Sequence, residues 1–201
     1  MKNANNTFTR TQSILLAKVA DMSADTKAAV DNGNITLQDA YYFKRYDITG
    51  AASIIEILKN DDAIKDGYCN ISKQKVDQGD NLLLSRLSVR VATSTDSAAT
   101  AGTVKYGTVQ NSTDAVVINA ELELYVKQMK VFSAPLSEFT QEQKDVHSMA
   151  CNINLSAPKL ITDADQIQVR LKFPDGATVS TASSTKTFVE VALCGDSLRI
   201  L

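Results

Sequence analysis

Hydrophobic and polar positions alternate along most of the chain, and helical spacing is confined to its start. From Thr11 to Met22, Ile14, Leu15, Val19 and Met22 recur near i, i+4 intervals, which predicts a helix. Ser23 reads as the N-cap of a second short helix through Val30, and Asn32-Gly33 as its stop, because glycine tolerates the left-handed conformation there. Residues 1–12 are polar and rich in Asn and Thr, which predicts a flexible or draped arm. Ala40-Tyr-Tyr-Phe-Lys-Arg-Tyr46 is expected to be an extended contact surface rather than a base-stacking platform for single-stranded nucleic acid. Ile48 to Leu58 fits either a helix capped near Thr49 or Ser53 or a buried strand.

Beyond Gly67 the period becomes 2. Gly79-Asp80-Asn81 is a turn, and from Leu82 to Thr93 one face collects Leu83, Ser85, Leu87, Val89 and Val91. The other carries Arg86, Ser88 and Arg90 and is expected to be solvated or to face an interface. The low-complexity stretch 93–103 is expected to be an exposed loop. A second long strand is predicted from Ala115 to about Phe132, with Ile118, Ala120, Leu122, Leu124 and Val126 on one face. Its phase slips after Gln128, which predicts a bulge or a passage between sheets. Thr140-x-x-Gln143 resembles a capping box, so a short helix is expected within 137–149. Asn152–Ala157, Asp165–Phe173 and Thr187–Cys194 complete the strands, the last followed by an apolar end at Leu198-Arg-Ile-Leu201. Pro174-Asp-Gly176 is a turn, and 178–187 is a second Ser/Thr loop.

Evenly spaced strands without βαβ alternation predict a mainly β chain, an antiparallel β-sandwich of jelly-roll-like form with an N-terminal helical arm. The expected division is a polar, helical arm at 1–34 and a β-sandwich domain at 35–201. Composition narrows the function. The chain has 201 residues, 44% of them hydrophobic, which supports a sizeable core. With 21 Lys and Arg against 23 Asp and Glu, the net charge of −2 gives no field for a nucleic-acid backbone. Cys69, Cys151 and Cys194 are odd in number and widely spaced, which argues for free thiols in a reducing compartment. The run Ile14 to Ala17, stopped by Lys18, is too short for a secretory signal, so synthesis in a cytoplasm and no membrane span are expected. Without secretion, the Asn-x-Ser/Thr triplets at Asn5, Asn34, Asn70, Asn111 and Asn154 carry no glycan.

Candidate chemistry is thin. His147 and Cys151 lie four apart and would share a helix face, but two ligands do not hold zinc and nothing marks an oxyanion hole. Asp61-Asp62, Asp163-Ala-Asp165 and the pair Glu121/Glu123 lack the density and the glycine of a calcium loop. Glu121 and Glu123 could serve a glycosidase only beside a cleft, and ion pairing suits them better. No phosphate loop, dinucleotide fingerprint, nucleophile elbow or HExxH helix occurs. A single histidine also excludes the usual cupin metal site. The expectation is therefore no catalytic, cofactor-binding or metal-ligating residue, no cofactor and no small-molecule substrate.

In Gly79-Asp-Asn81 leading into Leu82–Arg90, in Asp165–Phe173 and in the strand region Thr187–Ile200, the chain resembles jelly-roll capsid-type structural proteins of bacterial viruses. The resemblance spans about the last two-thirds of the chain and rests on strand alternation. It implies a non-enzymatic subunit of a self-assembling particle, a virion protein assembled in the host cytoplasm with copies of itself and other virion proteins. Lys2, Arg10 and Lys18 are the arm's cations, too few for direct genome binding. The alternative is a carbohydrate-binding or adhesin-type β-sandwich module, a class that usually presents exposed aromatics, often tryptophan, which this chain lacks.

Overall fold

The alternating segments become extended strands because each has one face to bury and one to solvate or cover. The computed structural model describes residues 10–109, 114–140, 151–181 and 184–201. Among them run β1 (Ile35–Asp47), β2 (Ile54–Glu56), β3 (Asp80–Ser94), β4 (Glu121–Val126), β5 (Met129–Pro135), β6 (Asn152–Thr162), β7 (Ile167–Lys172) and β8 (Lys186–Ile200). They form two four-stranded antiparallel sheets, ordered β1-β8-β3-β6 and β2-β7-β4-β5.

This order has a simple logic. The pairs β1·β8, β2·β7, β3·β6 and β4·β5 are the rungs of one long antiparallel ribbon folded at its midpoint. The remaining pairs, β3·β8 and β4·β7, join turns of that ribbon where it wraps on itself. A wrapped ribbon of eight strands in two sheets is a jelly roll. The core lies between the sheets: Leu84, Leu87, Val89, Val191 and Leu193 from one meet Leu122, Leu124, Val169 and Leu171 from the other.

Three successive leucines on β3, Leu82, Leu83 and Leu84, are all fully buried, so both faces of the strand are covered there. The register with β8 slips between Leu84, opposite Gly195, and Arg86, opposite Cys194, leaving Ser85 as an extra residue. The bulge reverses the phase. Leu82 and Leu84 point into the sandwich, whereas Leu83 points outward and packs with Leu198, Leu15 and Met22. The expected single face holding both Leu83 and Leu87 is therefore wrong on one side of Ser85. The other expected face is not simply solvated either: Arg86 is exposed, but Ser88 is buried.

The helical segment covers this outward apolar patch. α1 (Arg10–Ala17), a short 3-10 turn (Val19–Asp21) and α2 (Ala24–Asp31) follow one another. Ser23 caps α2 as expected, its hydroxyl accepting from the Thr26 N–H at 3.2 Å, and Gly33 ends it at φ +69°. Each large side chain buried in this contact is worth about 2 kcal/mol.

Two further expectations change. The long strand from Ala115 to Phe132 is instead a helical turn, α3 (Ala115–Ile118), followed by a hairpin. Asp114 caps α3, accepting from the Val116 N–H at 2.9 Å. The phase slip after Gln128 is a two-residue turn, with Lys127 and Gln128 both at positive φ, plus a register shift near Val131. Ala120, Leu122, Leu124 and Val126 do share the core face. Of the ambiguous Ile48–Leu58 segment, only Ile54–Glu56 is strand, flanked by the buried Ile48, Ile57 and Leu58. Leu136–Thr140 is a 3-10 turn, and the rest of the helix expected at 137–149 lies outside the described residues.

Gly195 faces the bulge so closely that a Cβ there would lie 2.0 Å from the Leu83 carbonyl oxygen. Gly195→Ala is expected to lower stability by about 3 kcal/mol or more, because backbone rather than a mobile side chain must move. Urea denaturation of the purified variant measures it.

Candidate functional site

The outward face of the β1-β8-β3-β6 sheet carries a cluster of charged and aromatic side chains. Glu190 of β8 stands directly across from Arg45 of β1 on one side and Arg90 of β3 on the other. Its side chain is 3% exposed, and its oxygens lie 2.7 Å from Arg45 Nε and 3.4 Å from Arg90 Nη1. The Tyr41 hydroxyl donates to the same carboxylate at 3.3 Å. Burial first, then the Glu190 charge, pushes the Tyr41 phenol up to about 12. Arg45 also donates to the Gly67 carbonyl at 2.9 Å, and its guanidinium lies 5.2 Å from the Phe43 ring centre and 5.0 Å from that of Tyr106.

The Ser/Thr stretch expected to be an exposed loop folds back over this face. Ala99 and Ala101 are buried against Ala92 and Phe188. Lys186 donates to the carbonyls of Ser97 (2.6 Å) and Ala99 (3.1 Å), and Tyr68 donates to Thr100 Oγ1 at 2.8 Å. Small residues fit because the approach is close: a Cβ on Gly102 would sit 2.6 Å from the Tyr68 ring. Opposite this loop, the segment 65–71 borders β1. The Asn70 side chain accepts from Phe43 N–H at 2.6 Å and donates to the Tyr41 carbonyl at 2.7 Å.

Between the two lies an open groove of about 810 Å³. Its floor is Lys44, Arg45 and Tyr46 of β1, and its walls are Lys59–Cys69 on one side and Ala99–Ala101 with Lys186 and Phe188 on the other. Lys44 pairs with Asp62 at 2.6 Å, and the second Asp62 oxygen accepts the Lys59 N–H at 2.8 Å. The tyrosine-rich stretch 40–46 thus lies on an extended strand, as expected, with Tyr42 turned inward to the core and Tyr46 on the groove floor.

The other candidates stay apart. Glu121 and Glu123 share the outer face of β4. Glu123 accepts from Lys130 Nζ (2.7 Å) and the Tyr125 hydroxyl (3.0 Å), and Glu121 accepts from the Ser133 hydroxyl. Asp163 and Asp165 hold turn backbone, accepting from the Gly79 and Thr162 N–H groups, both at 2.9 Å. Cys69, Cys151 and Cys194 are free and buried, and burial raises all three thiols above their ordinary value. His147 lies outside the described residues. Among the described residues, no three His, Cys, Asp or Glu side chains come together as a metal site, and no helix is long and apolar enough to cross a membrane. The groove went unseen in the sequence because its walls come from segments 30 to 120 residues apart, none with a motif of its own.

No family profile and no curated protein matches the chain. Among solved structures it is similar to dimeric latent PorU from Porphyromonas gingivalis, at 9% identity and a TM-score of 0.27. The match covers 81% of this chain but 13% of that one. A likeness that slight carries no argument about fold or function.

Two outcomes follow from the charged pairs. Glu190→Gln leaves Arg45 and Arg90 without their charge partner on a covered face, and should cost about 2 kcal/mol, less than a wholly buried pair because both arginines reach solvent. It should also speed amide exchange in residues 95–107, which hydrogen exchange reads directly. On the opposite sheet, the hydrogen bond from Lys130 holds the Glu123 carboxyl below its ordinary value of 4.5. The stability Glu123 gives is therefore complete above about pH 4.5 and lost as pH falls through the lower folded value. Urea midpoints measured from about pH 6 to pH 3 should fall less steeply in Glu123→Gln than in the parent.

Proposed function

We propose that the chain is a non-enzymatic structural subunit of a self-assembling particle, a capsid or other virion protein that assembles in a host cytoplasm with copies of itself and other virion proteins. The observation that carries this reading is the wrapped eight-stranded ribbon, a jelly roll that ends in edge strands. Jelly rolls serve as shell modules, although they also serve in lectins and cupins, so fold alone does not decide between these uses. The edges favour a building block. β5 and β6 each have one strand neighbour, and β5 begins with Met129, 65% exposed beside the hairpin turn. An edge with unpaired backbone groups and an exposed apolar side chain suits subunit contact. A near-neutral chain also lets like subunits pack without strong mutual repulsion.

Sedimentation velocity over a range of concentrations and salt tests the proposal. The expected result is species larger than the 21.8 kDa chain, with association weakened in Met129→Glu while the melting midpoint is kept. A single 21.8 kDa species under all conditions would overturn it.

A further inference from the structure

We propose that the groove over β1 is a binding site for a carboxylated oligosaccharide, such as a short run of uronic acid residues. This inference is independent of whether the chain assembles.

The argument starts from charge. Five cations and three carboxylates line the groove, a local excess of positive charge in a chain of net charge −2. Two of the acids are already committed. Asp62 holds Lys44 and the Lys59 N–H, and one Asp47 oxygen accepts from both the N–H and the hydroxyl of Thr49. Three of the cations are committed as well: Lys44 to Asp62, Arg45 to Glu190, and Lys186 to two loop carbonyls.

Lys59 and Lys65 remain. Both are exposed, and among the described residues neither has a carboxylate within 4.0 Å. Each ammonium lies instead over a tyrosine ring, Lys59 at 5.3 Å from the Tyr46 centre and Lys65 at 4.1 Å from that of Tyr68. A ring face restrains a lysine without neutralising it, so the groove keeps two such ammonium groups against one remaining carboxylate, Asp61, and its balance stays positive.

The same geometry selects the kind of anion. A nucleic-acid strand would stack its bases on open aromatic faces, but lysines lie over these two rings. The chain's net charge also supplies no long-range pull on a phosphate backbone. A uronic acid offers one carboxylate per sugar, several hydroxyls and a small apolar ring face. The groove matches these with two free ammonium groups, the Thr100 and Tyr68 hydroxyls, and the apolar surface of Ile64, which is 56% exposed.

Isothermal titration of the full chain with a galacturonic acid trisaccharide tests the proposal, beside its carboxyl-reduced neutral counterpart, inorganic sulfate and a single-stranded oligonucleotide. The expected result is saturable binding of the uronate, weakened by about tenfold or more both in the neutral counterpart and in the double variant Lys59→Ala/Lys65→Ala. Both lysines are exposed, so the variant should keep the parent's melting midpoint, and the loss of binding then reports on the groove alone. No uronate binding, equal binding of the neutral sugar, tighter binding of sulfate or the oligonucleotide, or an unaffected double variant would each overturn the assignment.

Discussion

The pairing of β3 with β8 is the contact on which the rest of the molecule rests. It is where the folded ribbon wraps and joins itself, and it places two fifteen-residue strands in the middle of one sheet. Both faces of that pair are covered. Inward, Val189, Val191 and Leu193 meet the opposite sheet; outward, Leu83 and Leu198 are covered by the helical segment and Phe188 by the loop 95–107. One extra residue, Ser85, sets which residues meet each covering. Without the bulge Leu87, Val89 and Val91 could not share the inner face with Leu82 and Leu84. Gly195 is the matching concession on β8, since only a residue without a side chain lets the bulged backbone approach.

Charge follows the same register. Asp80 stands across from Arg199, and Glu190 across from both Arg45 and Arg90. A slip of one residue would turn Glu190 to the inner face, away from both its arginines, at far greater cost than loss of an exposed pair. Asp80 and Glu123 differ in their response to pH. Burial raises the Asp80 carboxyl despite the Tyr42 hydroxyl at 3.0 Å and Arg199 Nε at 3.0 Å. A carboxyl raised on folding binds its proton more readily folded than unfolded, so Asp80 erodes stability as pH rises through its folded value. Glu123, lowered by Lys130, acts in the opposite direction from its place on the other sheet. At neutral pH the buried Asp80 charge therefore subtracts from stability.

Much of the strand map was legible because alternation is a local property. β4, β7 and the first half of β8 keep one phase, and their inward residues are those the period marks out. Ser23 and Gly33 bound α2 for equally local reasons of capping and backbone conformation. The errors arose where a distant segment decides the outcome. The bulge at Ser85 depends on Gly195, more than a hundred residues away. Residues 93–103 are mostly exposed, as their composition predicts, but Ala99 and Ala101 are small enough to seat against Phe188, which composition does not show. Ala115–Ile118 alternates in step with β4 but turns helical because Asp114 caps it.

The groove shows the same division between local and distant causes. Its floor is legible as the tyrosine-rich stretch 40–46, because β1 is a strand on its own evidence. Its walls are not, since Asn70, with backbone bonds from Arg45 to Tyr68 and from Asn70 to Phe43, fastens one segment to the edge of β1, and Lys186 and Tyr68 fasten the other. Those fastenings use side chains whose partners are mostly backbone carbonyls and hydroxyls, so they impose no spacing that a sequence pattern could reveal. They also settle which charges remain free. Each cation spent on the scaffold is fixed by a strand or loop neighbour, and the two left over, Lys59 and Lys65, stand exposed on the wall segment 59–69, where the fold gives neither a carboxylate partner.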